Sequence, residues 1–163
     1  GRYSYDTCTP VTEGTWDALL AGAATVLEAL DAVLAGDHAF ALTRPPGHHA
    51  GADYMGGYSY LNWAALAAVA SGKRAAVLDL DYHHGNGTQD VLEGREGLSF
   101  ASLHADPRTD YPFFWGHAEE NGGNIRNWPL PRGTEADAYE AALDEACAWV
   151  AGRSPELLVV SFG

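Results

Sequence analysis

The chain has 163 residues, 47% of them hydrophobic and 19% charged, with a formal net charge of −13. That length and apolar fraction support one domain with a sizeable core and exclude a disordered chain. The acidic balance argues against direct binding of nucleic acid, whose phosphates need a basic surface, and is compatible with a cationic substrate. Two distant cysteines, Cys8 and Cys147, form neither a disulfide framework nor a Cys-type zinc site and read as buried or incidental thiols. No apolar run approaches the ~20 residues that span a bilayer, and no signal peptide is visible. The expectation is a cytoplasmic chain with no membrane partner.

Thr12 to Gly36 carries a helical pattern, with Leu19, Ala23, Val26, Leu27, Leu30 and Leu34 at spacings of three and four and Gly36 as the stop. Phe40 to Thr43 reads as a short buried strand ended by Pro45 and Pro46. The alanine-rich run Leu61 to Ser71 predicts a helix, followed by Gly72. Arg74 to Asp81 is apolar without alternation, which suits a parallel strand covered on both faces. Gly87 to Leu92 opens a short helix, and Leu98 to Leu103 is the next strand. Arg108 to Arg132, with Gly, Pro and Asn throughout, reads as a long functional loop. Thr134 to Ala151 predicts a helix with Thr134 as N-cap and Glu135, Asp137 and Glu140 near the positive end of its dipole. Leu157 to Phe162 is the last strand. Strands alternating with helices predict a parallel-sheet α/β fold, in which ligands bind at the carboxyl ends of the strands.

The polar groups collect at those ends. Asp79, Asp81, His83, His84 and Asn86 follow directly on the apolar run Ala75 to Leu78. Alternation places Asp79, Asp81 and His83 on one side if the strand continues that far, with His84 opposite. Asp81 and His83, an oxygen and a nitrogen donor, suit a divalent metal; the bland alternative is a polar strand end with solvated histidines. His48 and His49 sit on a Pro45-Pro46-Gly47 turn after another strand, and adjacent imidazoles on a rigid turn suit proton transfer. His104 follows a third strand. The convergence predicts one site.

Four motifs in this order, Arg44 to His49, Gly56 to Asn62, Leu78 to Gln89 and Ser102 to His104, resemble the histone deacetylase and acetylpolyamine amidohydrolase superfamily. Tyr111 to Gly116 and Pro129 to Thr134 are more similar to the bacterial acetylpolyamine amidohydrolase and class II branches than to class I. The resemblance runs from about Tyr5 to Gly163. It implies a three-layer α/β/α, arginase/deacetylase-like fold, with residues 1–163 forming part of a single deacetylase catalytic domain whose C-terminal portion is absent. The implied activity is hydrolytic removal of acetyl groups from acetylated polyamines or other acetylated amines. The alternatives are a class II protein lysine deacetylase acting on acetyl-lysine, and a catalytically incomplete fragment or pseudoenzyme. An arginase-like metallohydrolase shares the fold class, but the adjacent His48 and His49 speak against its two-metal, Asp-rich site.

The resemblance also implies roles. Asp81 and His83 correspond to two of three protein ligands of a catalytic metal, Zn2+ with Fe2+ as the alternative. The third, an aspartate, and the tyrosine that polarises the scissile carbonyl lie beyond Gly163 in relatives, so the 163-residue chain alone is expected to be inactive. His49 corresponds to the general base and His48 to its neighbour, steadied by Asn86 and Asp79 respectively. Asn86 stands where class I members carry aspartate, which favours a base that starts out neutral. Gly57 would offer its carbonyl to the substrate amide, and Tyr58, Phe113 and Phe114 would clasp an aliphatic chain, with the channel-facing phenylalanine left open. Asp79, Ser102 and Leu103 match positions that hold a monovalent cation, K+, in relatives. Trp63 replaces a usual second asparagine and Ser59 a common cysteine, so packing behind the His48-His49 turn is expected to differ. His84 is read as structural, His104 as without a chemical role, and His38 and His117 as surface residues. A homo-oligomer is left open.

Overall fold

A computed structural model describes residues 3–4 and 6–163; Gly1, Arg2 and Tyr5, where the resemblance begins, lie outside the described residues. In chain order the elements are β1 (Tyr3–Ser4), α1 (Thr15–Leu34), β2 (Tyr54–Met55), α2 (Trp63–Ala70), β3 (Ala75–Asp79), α3 (Asn86–Leu92), β4 (Leu98–Ala105), a 3₁₀ turn (Ala118–Glu120), β5 (Ile125–Leu130), α4 (Ala136–Gly152) and β6 (Leu157–Ser161). The main sheet has the order β5-β4-β3-β6 with all neighbours parallel, and β1 pairs in parallel with β2.

Alternation along β3 divides the core. Ala75 and Val77 pack with Phe100, Leu92 and the small residues Ala64, Ala65 and Ala68 on the side covered by α1, α2 and α3. Ala76 and Leu78 pack with Ala101, Leu103 and the Ala142, Ala146 and Val150 stripe of α4. The three-layer α/β/α arrangement follows, and every residue of β3 is buried. Because alternation assigns Asp79 to the same face as Ala75 and Val77, its carboxylate meets the loop ahead of α2 rather than α4. The register aligns Ser161, Asp79, Ser102 and Asn127 across the sheet.

Three sequence expectations are corrected. Phe40 to Thr43 is extended but is no strand, and Phe40 and Leu42 are 77% and 83% exposed. Strand structure needs a ladder partner, and among the described residues no strand pairs with this segment, whose Phe40 lines a cavity of about 400 Å³ together with Val160 of the edge strand β6. The run Arg108 to Arg132 holds the 3₁₀ turn and β5, because an edge strand tolerates Pro129, which cannot donate to a ladder. Glu135, not Thr134, is the N-cap of α4, and the Thr134 hydroxyl donates to the Pro131 carbonyl instead. Cys8 and Cys147 are free and exposed, which is the incidental rather than the buried of the two readings.

Trp63 sits in the first turn of α2, buried to 8% exposure, with Nε1 donating to the Pro45 carbonyl at 2.7 Å. It props the Pro45-Pro46-Gly47 turn against α1. Asn62 caps α2 by accepting from the Ala65 N–H, while its amide donates to the Ala50 carbonyl and the Thr88 hydroxyl. Helix, histidine turn and α3 are thereby joined at one residue. No helix is long and apolar enough to cross a membrane among the described residues.

Candidate active site

Three segments converge at the carboxyl end of β3: the turn carrying His48 and His49, the loop after β3, and the start of α3. His48 Nδ1 donates to Asp79 Oδ2 at 2.9 Å, and His49 Nδ1 donates to Asn86 Oδ1 at 2.7 Å. All four residues are 7% exposed or less. The amide of Asn86 is oriented by its donation to the Tyr54 hydroxyl, so its oxygen faces the imidazole. With each Nδ1 carrying a hydrogen, Nε2 of His49 is the open nitrogen, while Nε2 of His48 faces the Asp81 carboxylate. The two rings lie 4.0 Å apart between centroids.

Electrostatics separates the two histidines. Burial alone would lower the pKa of His48, but the adjacent Asp79 carboxylate, helped by Asp81, outweighs it and raises the value above 6.5. Burial drives His49 down to about 3, reinforced by the neighbouring charge of His48, and Asn86 offers only a dipole in return. His49 is therefore a neutral imidazole at neutral pH, free to accept a proton at Nε2.

β3 stops at Asp79, so Asp81 and His83 are placed by a turn rather than by strand alternation. Asp79 Oδ1 accepts the Asp81 N–H at 3.1 Å, and Asp81 Oδ1 accepts the His83 N–H at 2.7 Å. The Asp81 carboxylate also lies 3.6 Å from His48 Nε2 and from His83 Nδ1. Burial would raise its pKa, but hydrogen bonding from His83 and the charge of His48 bring it to about 2. An ionised carboxylate beside a half-exposed imidazole is a fitting donor pair for a divalent metal. No group of three or more His, Cys, Asp or Glu that could hold a metal occurs among the described residues.

The floor of the site is Gly57. Its φ is +53°, and a Cβ there would lie 2.1 Å from His49 Cδ2, so the peptide packs directly on the imidazole and only glycine fits. Tyr58 follows with φ +63° and a 60% exposed ring. Tyr111, part of the Tyr111 to Gly116 motif but given no site role from sequence, packs edge-on to His49 at 4.8 Å, and Phe113 packs edge-on to Tyr111 at 6.3 Å. Phe113 thus joins the aromatic row leading to His49, whereas Phe114 is 76% exposed.

Behind the site lies a buried polar network. His84, fully buried, shares Nε2 between Gln89 Oε1 and Asn127 Oδ1, and Gln89 donates to Glu120. His104 bridges the Ser102 hydroxyl and the Gly116 carbonyl. Burial lowers the pKa of both histidines, so they serve as neutral struts. Asp79, Ser102 and Leu103 are all buried, with Asp79 and Ser102 at paired register positions. His38 is exposed and His117 half-buried, at 3.2 Å from the Phe113 carbonyl.

Sequence comparison matches residues 2–163 to the histone deacetylase domain. The chain is 50% identical over 173 residues to acetylpolyamine amidohydrolase 1 of Pseudomonas aeruginosa and 43% identical to the acetylpolyamine amidohydrolase of Mycoplana ramosa, in each case over its whole length. It spans about half the length of these curated relatives, 50% and 51%. A crystal structure of acetylpolyamine aminohydrolase from Burkholderia pseudomallei superimposes on 99% of the chain with a TM-score of 0.95 at 39% identity, using 50% of that structure. Family match, parallel three-layer fold and close superposition agree: this chain belongs to the histone deacetylase domain family.

Proposed function

We propose that the intact enzyme containing this chain removes acetyl groups from acetylated polyamines by metal-dependent amide hydrolysis. The observation that carries this reading is the pair of buried dyads, His48–Asp79 and His49–Asn86, beside the Asp81–His83 donor pair. The names of the relatives indicate the substrate class. Asp81 and His83 would hold the metal, zinc or ferrous iron. A divalent metal there supplies Lewis acidity, acidifying a water and polarising the acetyl carbonyl.

The residues of this chain do the rest. His49 Nε2 takes a proton from water as its oxygen bonds to the acetyl carbon and returns it to the amine nitrogen as the C–N bond breaks, releasing the free amine and acetic acid, which loses its remaining proton to solvent as acetate. Asn86 keeps that proton exchange on Nε2 by fixing the tautomer. His48, held with Asp79, sustains a positive field beside the reacting carbonyl. The Gly57 carbonyl receives the substrate amide N–H, and Tyr58 and Phe113, with Phe114 at the rim, bury the methylene chain. Asp79, Ser102 and Leu103 would offer oxygens to K+ beneath the site.

Replacement of His49 by Ala in the intact enzyme should lower kcat for N-acetylputrescine by about 10³-fold or more while metal content is retained. Retained turnover would remove His49 from the mechanism. Comparison with an acetyl-lysine peptide separates the polyamine reading from a protein lysine deacetylase. The isolated 163-residue chain, with two donors and no third among the described residues, is expected to show no turnover.

A further inference from the structure

The turn from Asp6 to Thr9 belongs to none of the recognised motifs, yet it touches three walls of the site. Asp6 Oδ2 accepts from the Gly57 N–H at 2.6 Å and the Tyr111 hydroxyl at 3.2 Å. Its Oδ1 accepts from the Cys8 N–H and the Thr9 hydroxyl, both at 2.8 Å. Thr9 is 2% exposed, and its hydroxyl oxygen accepts from the Tyr58 N–H at 3.0 Å. The next carbonyl, Pro10, accepts from the Tyr60 hydroxyl. Upstream, Tyr3 and Ser4 pair with Tyr54 and Met55. One short segment therefore grips residues 54–60 from end to end.

The gripped turn needs holding. Gly57 and Tyr58 both have positive φ, and a tyrosine keeps that conformation only where surrounding contacts over-determine it. The Gly57 peptide rests on the His49 ring, and Tyr111 covers another edge of the same ring. Four donors converge on the two Asp6 oxygens, which matches the capacity of a carboxylate and exceeds that of an amide. Burial would raise the Asp6 pKa, but these hydrogen bonds, led by that from Gly57, hold it below 3.8.

We propose that Asp6 is a positioning residue for the deacetylase site: through Gly57, Tyr111 and the Thr9 hydroxyl it locks the Gly57-Tyr58 turn and the Tyr111 ring around His49 before substrate arrives. The inference rests on the reading of Gly57 and Tyr58 as substrate-binding groups. Without the clamp, substrate binding must itself order the turn, which weakens apparent affinity.

The test uses the intact, metal-loaded enzyme and the variants Asp6→Ala, Asp6→Asn, Thr9→Val and Thr9→Ser. Hydrogen–deuterium exchange should rise about tenfold or more at the Gly57 and Tyr58 amides in Asp6→Ala and Thr9→Val, with α1 and β3 protected as in wild type. KM for N-acetylputrescine should rise ~10-fold or more at unchanged metal content. Asp6→Asn should lie between, and Thr9→Ser should restore wild-type behaviour. Unchanged exchange at residues 57–58 in Asp6→Ala overturns the proposal. So does a loss confined to kcat, the mark of a smaller folded fraction. If wild-type enzyme hydrolyses no acetylated amine, the functional reading falls, and the exchange data alone decide the clamp. If Asp6→Ala does not fold, the Thr9→Val and Thr9→Ser pair decides it.

Discussion

Substitution of Gly57 by Ala places one methyl group where the structure has no room for it. The added Cβ would meet His49 Cδ2 at 2.1 Å, Cγ at 2.6 Å and Cβ at 3.0 Å. Ordinary carbon–carbon contact is ~3.5–4 Å, so the ring or the peptide must move by more than ~1 Å. His49 cannot retreat freely, because Asn86 holds its Nδ1 and Tyr111 covers its edge. Alanine at φ +53° adds ~1–2 kcal/mol of backbone strain. A displacement of ~1 Å in a catalytic group costs on the order of 10²-fold in rate. The expectation for Gly57→Ala in the intact enzyme is therefore a fall of about 100-fold in kcat/KM, metal content unchanged and a denaturation midpoint lowered by a few degrees. Steady-state kinetics on N-acetylputrescine, with metal analysis and thermal melts, reads all three. A kcat/KM within about threefold of wild type would refute both the close approach and the role given to His49.

Two further outcomes test the scaffold. Asn62→Ala removes the α2 cap and leaves the Ala50 carbonyl short of a donor; the expected loss is about 2 kcal/mol by chemical denaturation, and a loss under ~0.5 kcal/mol would show that the cap is replaced. Arg132 binds Asp110 through Nε and Nη2, each at 2.9 Å, and these hydrogen bonds, with one from Thr109, bring the Asp110 pKa from 3.8 to about 2. A depressed carboxylate stabilises the fold above its ordinary pKa and loses that contribution as pH falls through the folded value. The stability difference between wild type and Arg132→Met should thus be constant above pH ~4 and close between there and pH ~2; a gap that ignores pH would dissociate the pair from stability.

Local pattern carried far in this chain where its cause is local. The three- and four-residue spacing of α1, the alanine-rich α2 and the unbroken apolar run of β3 each reflect a periodicity written into neighbouring residues. Phe40 to Thr43 and β5 mark the limit. The first has strand-like residues and no ladder partner among the described residues; the second contains proline and asparagine and is a strand because β4 lies beside it. The site divides the same way. His48, His49, Asp79, Asp81, His83 and Asn86 stand out as two polar clusters after apolar runs, while Tyr111 is only the first residue of a motif with no role attached and Asp6 carries no local signal.

By itself the sequence singled out two clusters of polar residues, His48-His49 and Asp79 to Asn86, each following an apolar run, because residue type and spacing are properties of adjacent positions. Tertiary structure alone decided their partnership. Asp79 and Asn86 reach the histidines across 31 and 37 residues, and Asp6 reaches Tyr111 across 105. It also decided their protonation, since burial and neighbouring charge separate two adjacent imidazoles into one raised pKa and one of about 3. Contact and desolvation depend on what the fold brings close, and no local pattern encodes them.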